Sequence, residues 1–129
     1  MRPGIKILED VPGPGEVVER HRYYRIRLRL WLSKGERVRW EPPLGVKDGA
    51  VLEDEGRTLV TDVRLDRGDL INGLFYGIEG MRVGGTRRLK ISPHLAYREQ
   101  GVPGVIPANA VLVAEVIVVS EKESRGDQP

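Results

Sequence analysis

The sequence contains no cysteine, only one phenylalanine and no apolar segment long enough to cross a membrane. Without cysteine the chain has no disulfide, no thiolate metal ligand and no cysteine nucleophile, and it suits a reducing compartment. The longest apolar stretch near the end, residues 110–119, is interrupted by Glu115 and is shorter than the about 20 residues that a transmembrane helix needs. The first residues also lack the apolar stretch of a secretory signal. We therefore expect a soluble, cytoplasmic protein.

The composition is that of a folded domain with many turns. Of the 129 residues 40% are hydrophobic, and 21 Lys and Arg face 19 Asp and Glu for a net charge of +2. This balance excludes a disordered chain, and the length fits one core. The 16 Gly and 9 Pro favour a loop-rich β or α+β domain over a helical bundle. We expect one domain over residues 1–120, followed by a polar, flexible tail at 121–129.

Alternating side chains predict most of the strands. The Pro-Gly segment 11–15 predicts a turn, with the first regular element after it. Residues 24–32 place aliphatic side chains on one face and arginines on the other, which predicts a half-buried strand with a basic outer face. Residues 37–40 alternate likewise and suggest the second strand of a hairpin, while 41–57 are interpreted as a long exposed loop. Further strands are predicted at 58–65, 86–91 and 111–119, the last in the sheet centre and buried on both faces.

The hydrophobic period changes after Asp69. Apolar residues then recur at spacings of three and four as far as Met81, which predicts a short helix capped by the Asp69 side chain. Gly73 and Gly77 lie inside this helix, where each costs about 1 kcal/mol relative to alanine. We therefore expect these glycines to allow a close approach between the helix and the sheet.

The C-terminal half contains a specific series of motifs. Residues 77–93 read GIEGMRVGGTRRLKISP, Ala96-Tyr97 follow, residues 101–107 read GVPGVIP, and residues 110–113 read AVLV. Together these segments resemble the FKBP-type peptidyl-prolyl isomerases. They correspond to four features of that family: the end of the helix, the strand after it, the Ala-Tyr pair and the loop before the last strand. The resemblance covers residues 68–119 and continues more loosely upstream through Leu32 and Gly35.

The resemblance implies an α+β fold in which a bent antiparallel β-sheet wraps around one short α-helix. An apolar pocket between them is expected to receive a proline side chain of a polypeptide substrate. Rotation about a peptide bond faces a barrier of about 18–20 kcal/mol. A pocket that strips water from the imide and binds its twisted form lowers this barrier without a cofactor or a metal. The expected partners are proline-containing polypeptides, and the expected state is a monomer.

Site residues are carried over from the resemblance position by position. The Tyr97 hydroxyl and the Ile71 backbone N–H are the expected polar contacts to substrate carbonyls. Aliphatic residues of the helix and of the following loop form the expected apolar wall: Leu70, Leu74, Val105 and Ile106. Three further positions, where the family usually has aromatic side chains, complete the expected lining: Leu28, Val38 and Ala114.

The loss of aromatic side chains affects the expected activity. Leu74 also stands where many members have tryptophan, and aromatic side chains bury large areas. We expect a wider pocket, or one filled by Trp40, Phe75 or the 41–57 loop, with reduced activity. A non-catalytic domain of the same fold, used for peptide binding, chaperoning or docking, is the first alternative.

The arginines of residues 24–32 raise a second alternative, a basic β-sheet adaptor for nucleic acid. Such faces are usually solvated, and nearby glutamates and the acidic part of the 41–57 loop are expected to neutralise this one. A nucleic-acid partner is therefore not the favoured interpretation. His21 and His94 are far apart in sequence with no cysteine beside them, so we expect no metal site.

Overall fold

A computed structural model describes residues 3–46 and 48–123. Within these ranges the chain forms a single sheet, one α-helix and three single-turn 3-10 helices. The strands are β1 (Ile5–Val11), β2 (Tyr23–Leu32), β3 (Val51–Glu53), β4 (Thr58–Arg64), β5 (Thr86–Ile91) and β6 (Leu112–Lys122). The helix α1 spans Asn72–Ile78, and the 3-10 turns span Pro42–Leu44, Asp54–Gly56 and Pro93–Leu95.

The six strands form one antiparallel sheet in the order β1-β5-β6-β2-β4-β3. The helix lies between β4 and β5 in sequence and packs against β5, on the buried face of the sheet. The centre of the core is closed to solvent, since Leu30, Leu89 and Ala114 are each 0% exposed. These observations confirm the predicted α+β fold with an antiparallel sheet and one short helix.

The last strand is central, as predicted, but it is not buried on both faces. Buried and half-buried residues alternate along β6 from Leu112 to Val118, so only one face is packed. The prediction was wrong because the outer face of β6 also carries aliphatic residues, Val113 and Ile117, although these are only half-buried. β6 runs on to Lys122, which places residues 121 and 122 in the strand, and residues 124–129 of the expected tail lie outside the described residues.

The outer face of the sheet carries a ladder of ion pairs. Arg25 binds Asp62 at 2.8 Å and Arg29 binds Glu115 at 2.7 Å, each across a pair of neighbouring strands. Arg27 binds Glu53 of β3 at 3.1 Å. The Trp31 ring continues the ladder between the guanidinium groups of two other arginines, at 5.5 and 5.0 Å. The arginine face predicted for residues 24–32 is therefore present, and carboxylates neutralise it.

Several predicted elements differ at the ends of the sheet. The first regular element is β1, which precedes the Pro-Gly turn rather than following it. Only Ile5 of β1 is buried, so this edge strand lacks the alternation that reveals a half-buried strand. The 41–57 segment is not only a loop, because it contributes β3, whose three residues are all exposed at the other edge of the sheet.

The segment 37–40 does not form the predicted second strand of a hairpin. Arg37 makes an isolated bridge to Trp31, and the Val38 N–H donates to the Leu30 carbonyl at 2.9 Å. The chain then leaves β2, and the Trp40 N–H donates to the Gly56 carbonyl at 2.8 Å. This turn away from the sheet carries Trp40 into the interior, where its side chain is 6% exposed.

The helix is shorter than predicted, and Asp69 does not cap it. The residue at the N-cap position is Ile71, with extended backbone angles and no side-chain hydrogen bond. The Asp69 carboxylate instead accepts the Arg64 backbone N–H at 2.8 Å, which ties the helix entrance to the end of β4.

The glycines of α1 do allow a close approach to β5. A Cβ atom on Gly73 would overlap Ile91 Cγ2 and lie 3.0 Å from the Leu95 carbonyl oxygen. A Cβ atom on Gly77 would overlap Leu89 Cδ1. The helix thus lies directly on the side chains of β5, which confirms the interpretation of these glycines. Across the described ranges, no helix has the length and apolarity needed to span a bilayer.

Candidate functional site

An apolar cavity of about 100 Å³ lies between the entrance of α1 and strands β2 and β4. This is far more space than one water molecule needs. Its walls come from the two strands, the helix entrance, the segment after β2 and the loop after β5. The lining residues are Leu28, Trp40, Leu44, Gly45, Leu59, Thr61, Val63, Asp69, Leu70, Ile71, Leu74 and Tyr97.

The structure brings five of the predicted site residues together at this cavity. They are Leu28 of β2, Leu70, Ile71 and Leu74 at the helix, and Tyr97 of the loop after β5. The two expected polar contacts, on Tyr97 and Ile71, therefore belong to the lining of the same cavity.

Four predicted residues do not line the cavity. Val38 and Ala114 are buried in the core at 3% and 0% exposure. Ile106 is also buried and Val105 is half-buried against the core. An apolar residue beneath a pocket and one on its wall show the same sequence pattern, so the sequence could not separate the two groups.

The Ile106 backbone has a visible structural role in the loop that carries Tyr97. The backbones of Val102 and Ile106 exchange two hydrogen bonds of 2.8 Å, and the Gly101 N–H donates to the Tyr97 carbonyl at 3.0 Å. Gly101 adopts a left-handed conformation with φ 60°, and a Cβ atom there would overlap the Ile106 carbonyl. This compact loop fixes the backbone from which the Tyr97 side chain enters the cavity.

Trp40 and the start of the 41–57 segment contribute to the wall of the cavity. Trp40, Leu44 and Gly45 all line it, so two of the three candidates for filling the pocket lie at its wall. Phe75 is not among them, because it packs edge-on against Tyr76 with the ring centroids 5.0 Å apart. The indole Nε1 of Trp40 is buried and has no hydrogen-bond partner.

The lining from β4 was not anticipated from the sequence. Leu59, Thr61 and Val63 share one face of this strand, and their spacing of two residues is the signal that could have revealed them. The alternation of residues 58–65 was obscured because polar Thr61 lies on the cavity face and apolar Val60 on the opposite face.

Tyr97 presents a polar group to this apolar space. Among the hydrogen bonds found within residues 3–46 and 48–123, none involves its hydroxyl. Burial raises the pKa of Tyr97 above its ordinary value of 10.0. The hydroxyl therefore remains protonated throughout the physiological pH range and is available as a hydrogen-bond donor.

Ile71 supplies the second donor. Its carbonyl accepts the Leu74 and Phe75 N–H groups at 3.0 Å, which starts the helix. Its own N–H precedes the helix and donates to no other described residue. The first N–H groups of a helix lack partners within it, so the Ile71 N–H is suited to bind a carbonyl of an extended peptide.

A family described as FKBP-type peptidyl-prolyl cis-trans isomerase matches residues 32–119. The match covers more than half of the chain and includes every lining residue of the cavity except Leu28. The chain belongs to this family.

Similar curated proteins include FK506-binding protein 4 of Chaetomium thermophilum, which is 37% identical over 91 residues, or 70% of this chain and 19% of the relative. FK506-binding protein 1A of Neurospora crassa is 41% identical over 69 residues, or 54% of this chain and 56% of the relative. The chain thus spans about a fifth of the first of these relatives.

Two solved structures show the same fold. FkpA from Escherichia coli superposes with a TM-score of 0.67 at 27% identity, over 92% of this chain and 47% of that one. AtFKBP13 superposes with a TM-score of 0.68 at 22% identity, over 92% of this chain and 91% of that one. The predicted FKBP-like architecture is therefore confirmed.

The outer arginine face does not support a nucleic-acid interface. Arg25, Arg27 and Arg29 each have a carboxylate within 3.1 Å. A phosphate backbone would have to displace these carboxylates, and the face has little net positive charge to attract it. The alternative of a nucleic-acid adaptor is not favoured.

Proposed function

We propose that this domain catalyses the cis–trans isomerisation of X-Pro bonds in polypeptides. The observation that carries the proposal is the apolar cavity with two hydrogen-bond donors, the Tyr97 hydroxyl and the Ile71 N–H, on its lining. Leu28, Leu70 and Leu74 complete the part of the wall that the family resemblance assigns to substrate. A proline ring fills such a space, while the two donors bind carbonyl groups of the peptide on either side of it.

The cavity supplies the type of stabilisation that this reaction needs. The planar imide separates charge between its oxygen and nitrogen, whereas the twisted form loses this resonance and is less polar. Removing water around the imide therefore disfavours the planar ground state relative to the transition state. Uncatalysed X-Pro bonds isomerise in about 10–100 s, and a turnover of about 10² s⁻¹ requires a barrier lower by about 5–6 kcal/mol.

The activity is expected to be lower than in members with an aromatic pocket. Leu28 and Leu74 provide less contact area to a proline ring than aromatic side chains, although Trp40 restores part of it. This replacement is also the observation that favours a second candidate function, in which the cavity binds proline-containing segments without accelerating their isomerisation, for chaperoning or docking.

The proposed setting is protein folding in the cytoplasm, with the domain acting as a monomer on proline-containing polypeptides. The absence of cysteine from the sequence supports a reducing compartment.

NMR exchange spectroscopy of short X-Pro peptides tests the proposal, because it measures cis–trans rates directly at equilibrium. Acceleration proportional to the protein concentration is expected. Tyr97→Phe should lower kcat/KM by about threefold to tenfold, the loss expected for one hydrogen bond. Tyr23→Phe, at the start of β2 and outside the cavity, is the matched control and should retain the activity.

The two candidate functions give different results in this experiment. Binding without catalysis is indicated if the folded protein accelerates none of the peptides but its Ile71 and Tyr97 amide resonances shift when peptide is added. Acceleration that is equal in the wild type and in Tyr97→Phe would contradict the role given to the Tyr97 hydroxyl.

A further inference from the structure

A second, polar groove of about 410 Å³ continues from the apolar cavity around the entrance of α1. The two spaces share Asp69, Leu70 and Ile71 in their lining. A peptide whose proline occupies the apolar cavity would therefore pass directly into this groove. The groove is open to solvent along its length, so it suits a side chain that keeps part of its hydration.

The lining of the groove includes two arginine side chains and one histidine. Arg67 precedes the helix entrance, and His94 and Arg98 belong to the segment after β5. Asp69 is the carboxylate of the lining, and it already accepts the Arg64 N–H at 2.8 Å. The two guanidinium groups thus exceed the acidic charge of the groove.

These arginines differ from most arginines of the described surface in having no carboxylate partner. Arg20, Arg22, Arg25, Arg27, Arg29, Arg37, Arg57, Arg64 and Arg87 all form ion pairs. No ion pair within residues 3–46 and 48–123 includes Arg67 or Arg98. The guanidinium of Arg67 instead lies 6.0 Å from the centroid of the Tyr76 ring.

The backbone fixes Arg98 at the rim of the groove. Arg98 has a left-handed conformation with φ 55°, which is uncommon for a residue with a side chain. Its N–H donates to the Pro93 carbonyl at 2.9 Å, and its carbonyl accepts the Asn109 N–H at 2.8 Å. Two hydrogen bonds therefore hold an arginine in an unfavourable conformation beside the proposed peptide path.

We propose that this groove binds an acidic side chain of the peptide, so that the domain prefers X-Pro segments with Asp or Glu within a few residues of the proline. The proposal rests on the proposed function, because the apolar cavity sets the position of the proline. A guanidinium group binds a carboxylate through two parallel hydrogen bonds. Arg67 and Arg98 both line the groove, so each is placed to provide such contacts.

The test uses the full chain and a set of neutral peptides with one proline each. A single Glu is placed at each of the three positions before and after the proline in turn, with Gln at the same position as the control. NMR exchange gives kcat/KM for every peptide. One Glu position is expected to raise kcat/KM about threefold to tenfold over its Gln control at low ionic strength, and salt should reduce this gain.

The variants locate the effect. Arg67→Gln and Arg98→Gln, separately and together, should remove the preference for Glu and leave the rate for the Gln peptides unchanged. Arg88→Gln removes the same charge from the outer sheet face beside Trp31 and should keep the preference. Equal rates for Glu and Gln at every position would overturn the proposal, as would a preference that is also lost in Arg88→Gln.

The outcome is separable from that of the proposed function. If the wild type accelerates neutral peptides but shows no preference for Glu, the groove proposal alone is wrong. If it accelerates no peptide, the catalytic proposal is wrong, and dissociation constants from amide shifts then decide the groove. In that case the groove proposal is supported if one Glu peptide binds more tightly than its Gln control and the difference depends on Arg67 and Arg98. Equal binding of the Glu and Gln peptides overturns it.

Discussion

Arg87 joins three elements at the C-terminal end of α1, and its replacement gives a stringent test of the fold. The residue lies on β5, and its side chain is 7% exposed. Nε and Nη2 bind the two carboxylate oxygens of Asp10 on β1 at 3.1 and 3.2 Å. Nη1 donates to the carbonyls of Gly77 and Glu79 at 2.9 Å each. One guanidinium group thus connects β5, the edge strand and the end of α1.

The expected cost of Arg87→Met follows from the exposure of each partner. Asp10 is 39% exposed, so its carboxylate regains water and its ion pair contributes about 0–1 kcal/mol. The hydrogen bond to the Gly77 carbonyl is buried and the one to the Glu79 carbonyl is partly buried. A buried acceptor without a donor costs about 1–3 kcal/mol. Methionine keeps the apolar stem in place. We expect the free energy of unfolding to fall by about 2–4 kcal/mol.

Urea unfolding followed by circular dichroism measures this change through the transition midpoint, at an unchanged m-value. Asp10→Asn is the matched control, because it weakens the same ion pair but leaves both carbonyl hydrogen bonds intact. It should cost about 1 kcal/mol or less. A loss of less than about 0.5 kcal/mol in Arg87→Met, or an equal loss in both variants, would refute the importance of the helix-end hydrogen bonds.

Three further predictions concern the helix and the cavity. Gly77→Ala should lower the free energy of unfolding by about 1–3 kcal/mol, because the overlap with Leu89 outweighs the better helix propensity of alanine; urea unfolding that shows stabilisation would contradict the close packing. Burial raises the pKa of Tyr97 above 10.0, so the folded state keeps the hydroxyl proton at pH values where the unfolded state loses it. The free energy of unfolding of the wild type should therefore fall relative to that of Tyr97→Phe above pH 10 and not below pH 9. A difference between the two proteins that stays constant from pH 7 to 11 in urea unfolding would contradict this burial. In Trp31→Phe, Trp40 is the single remaining tryptophan, and a proline peptide should change the fluorescence of this variant. The same peptide should leave the fluorescence of Trp40→Phe, which reports on Trp31, unchanged. A response of Trp31 alone would place the peptide on the outer face.

The elements that the sequence predicts well are those with a simple relation between pattern and burial. β2 alternates aliphatic and arginine residues because one face packs on the core and the other carries ion pairs. The motifs of residues 77–107 are local as well, since a turn, a strand and a compact loop follow from neighbouring residues. Helix packing could be inferred from Gly73 and Gly77, because only a close approach explains two glycines inside a short helix.

The elements that escaped prediction depend on contacts distant in sequence. β1 and β3 are strands because they pair with the edges of an existing sheet, and their exposed side chains give no period of two. Asp69 has the residue type of a helix cap, but the Arg64 N–H is a nearer partner. Trp40 enters the interior because its backbone binds Gly56, sixteen residues later.

For the candidate cavity, the sequence predicts lining positions better than it predicts the volume. Small side chains at Leu28 and Leu74 predict an enlarged pocket if each position is considered alone. Trp40 approaches from a different element and lines the same cavity, whose volume is about 100 Å³. Trp40 is held by the segment between β2 and β4 rather than by the helix, through a 2.8 Å hydrogen bond to Gly56. The width of the proposed proline pocket therefore depends on how firmly residues 40–56 are anchored, and substitutions there should alter activity although these residues lie outside the motifs of residues 77–113.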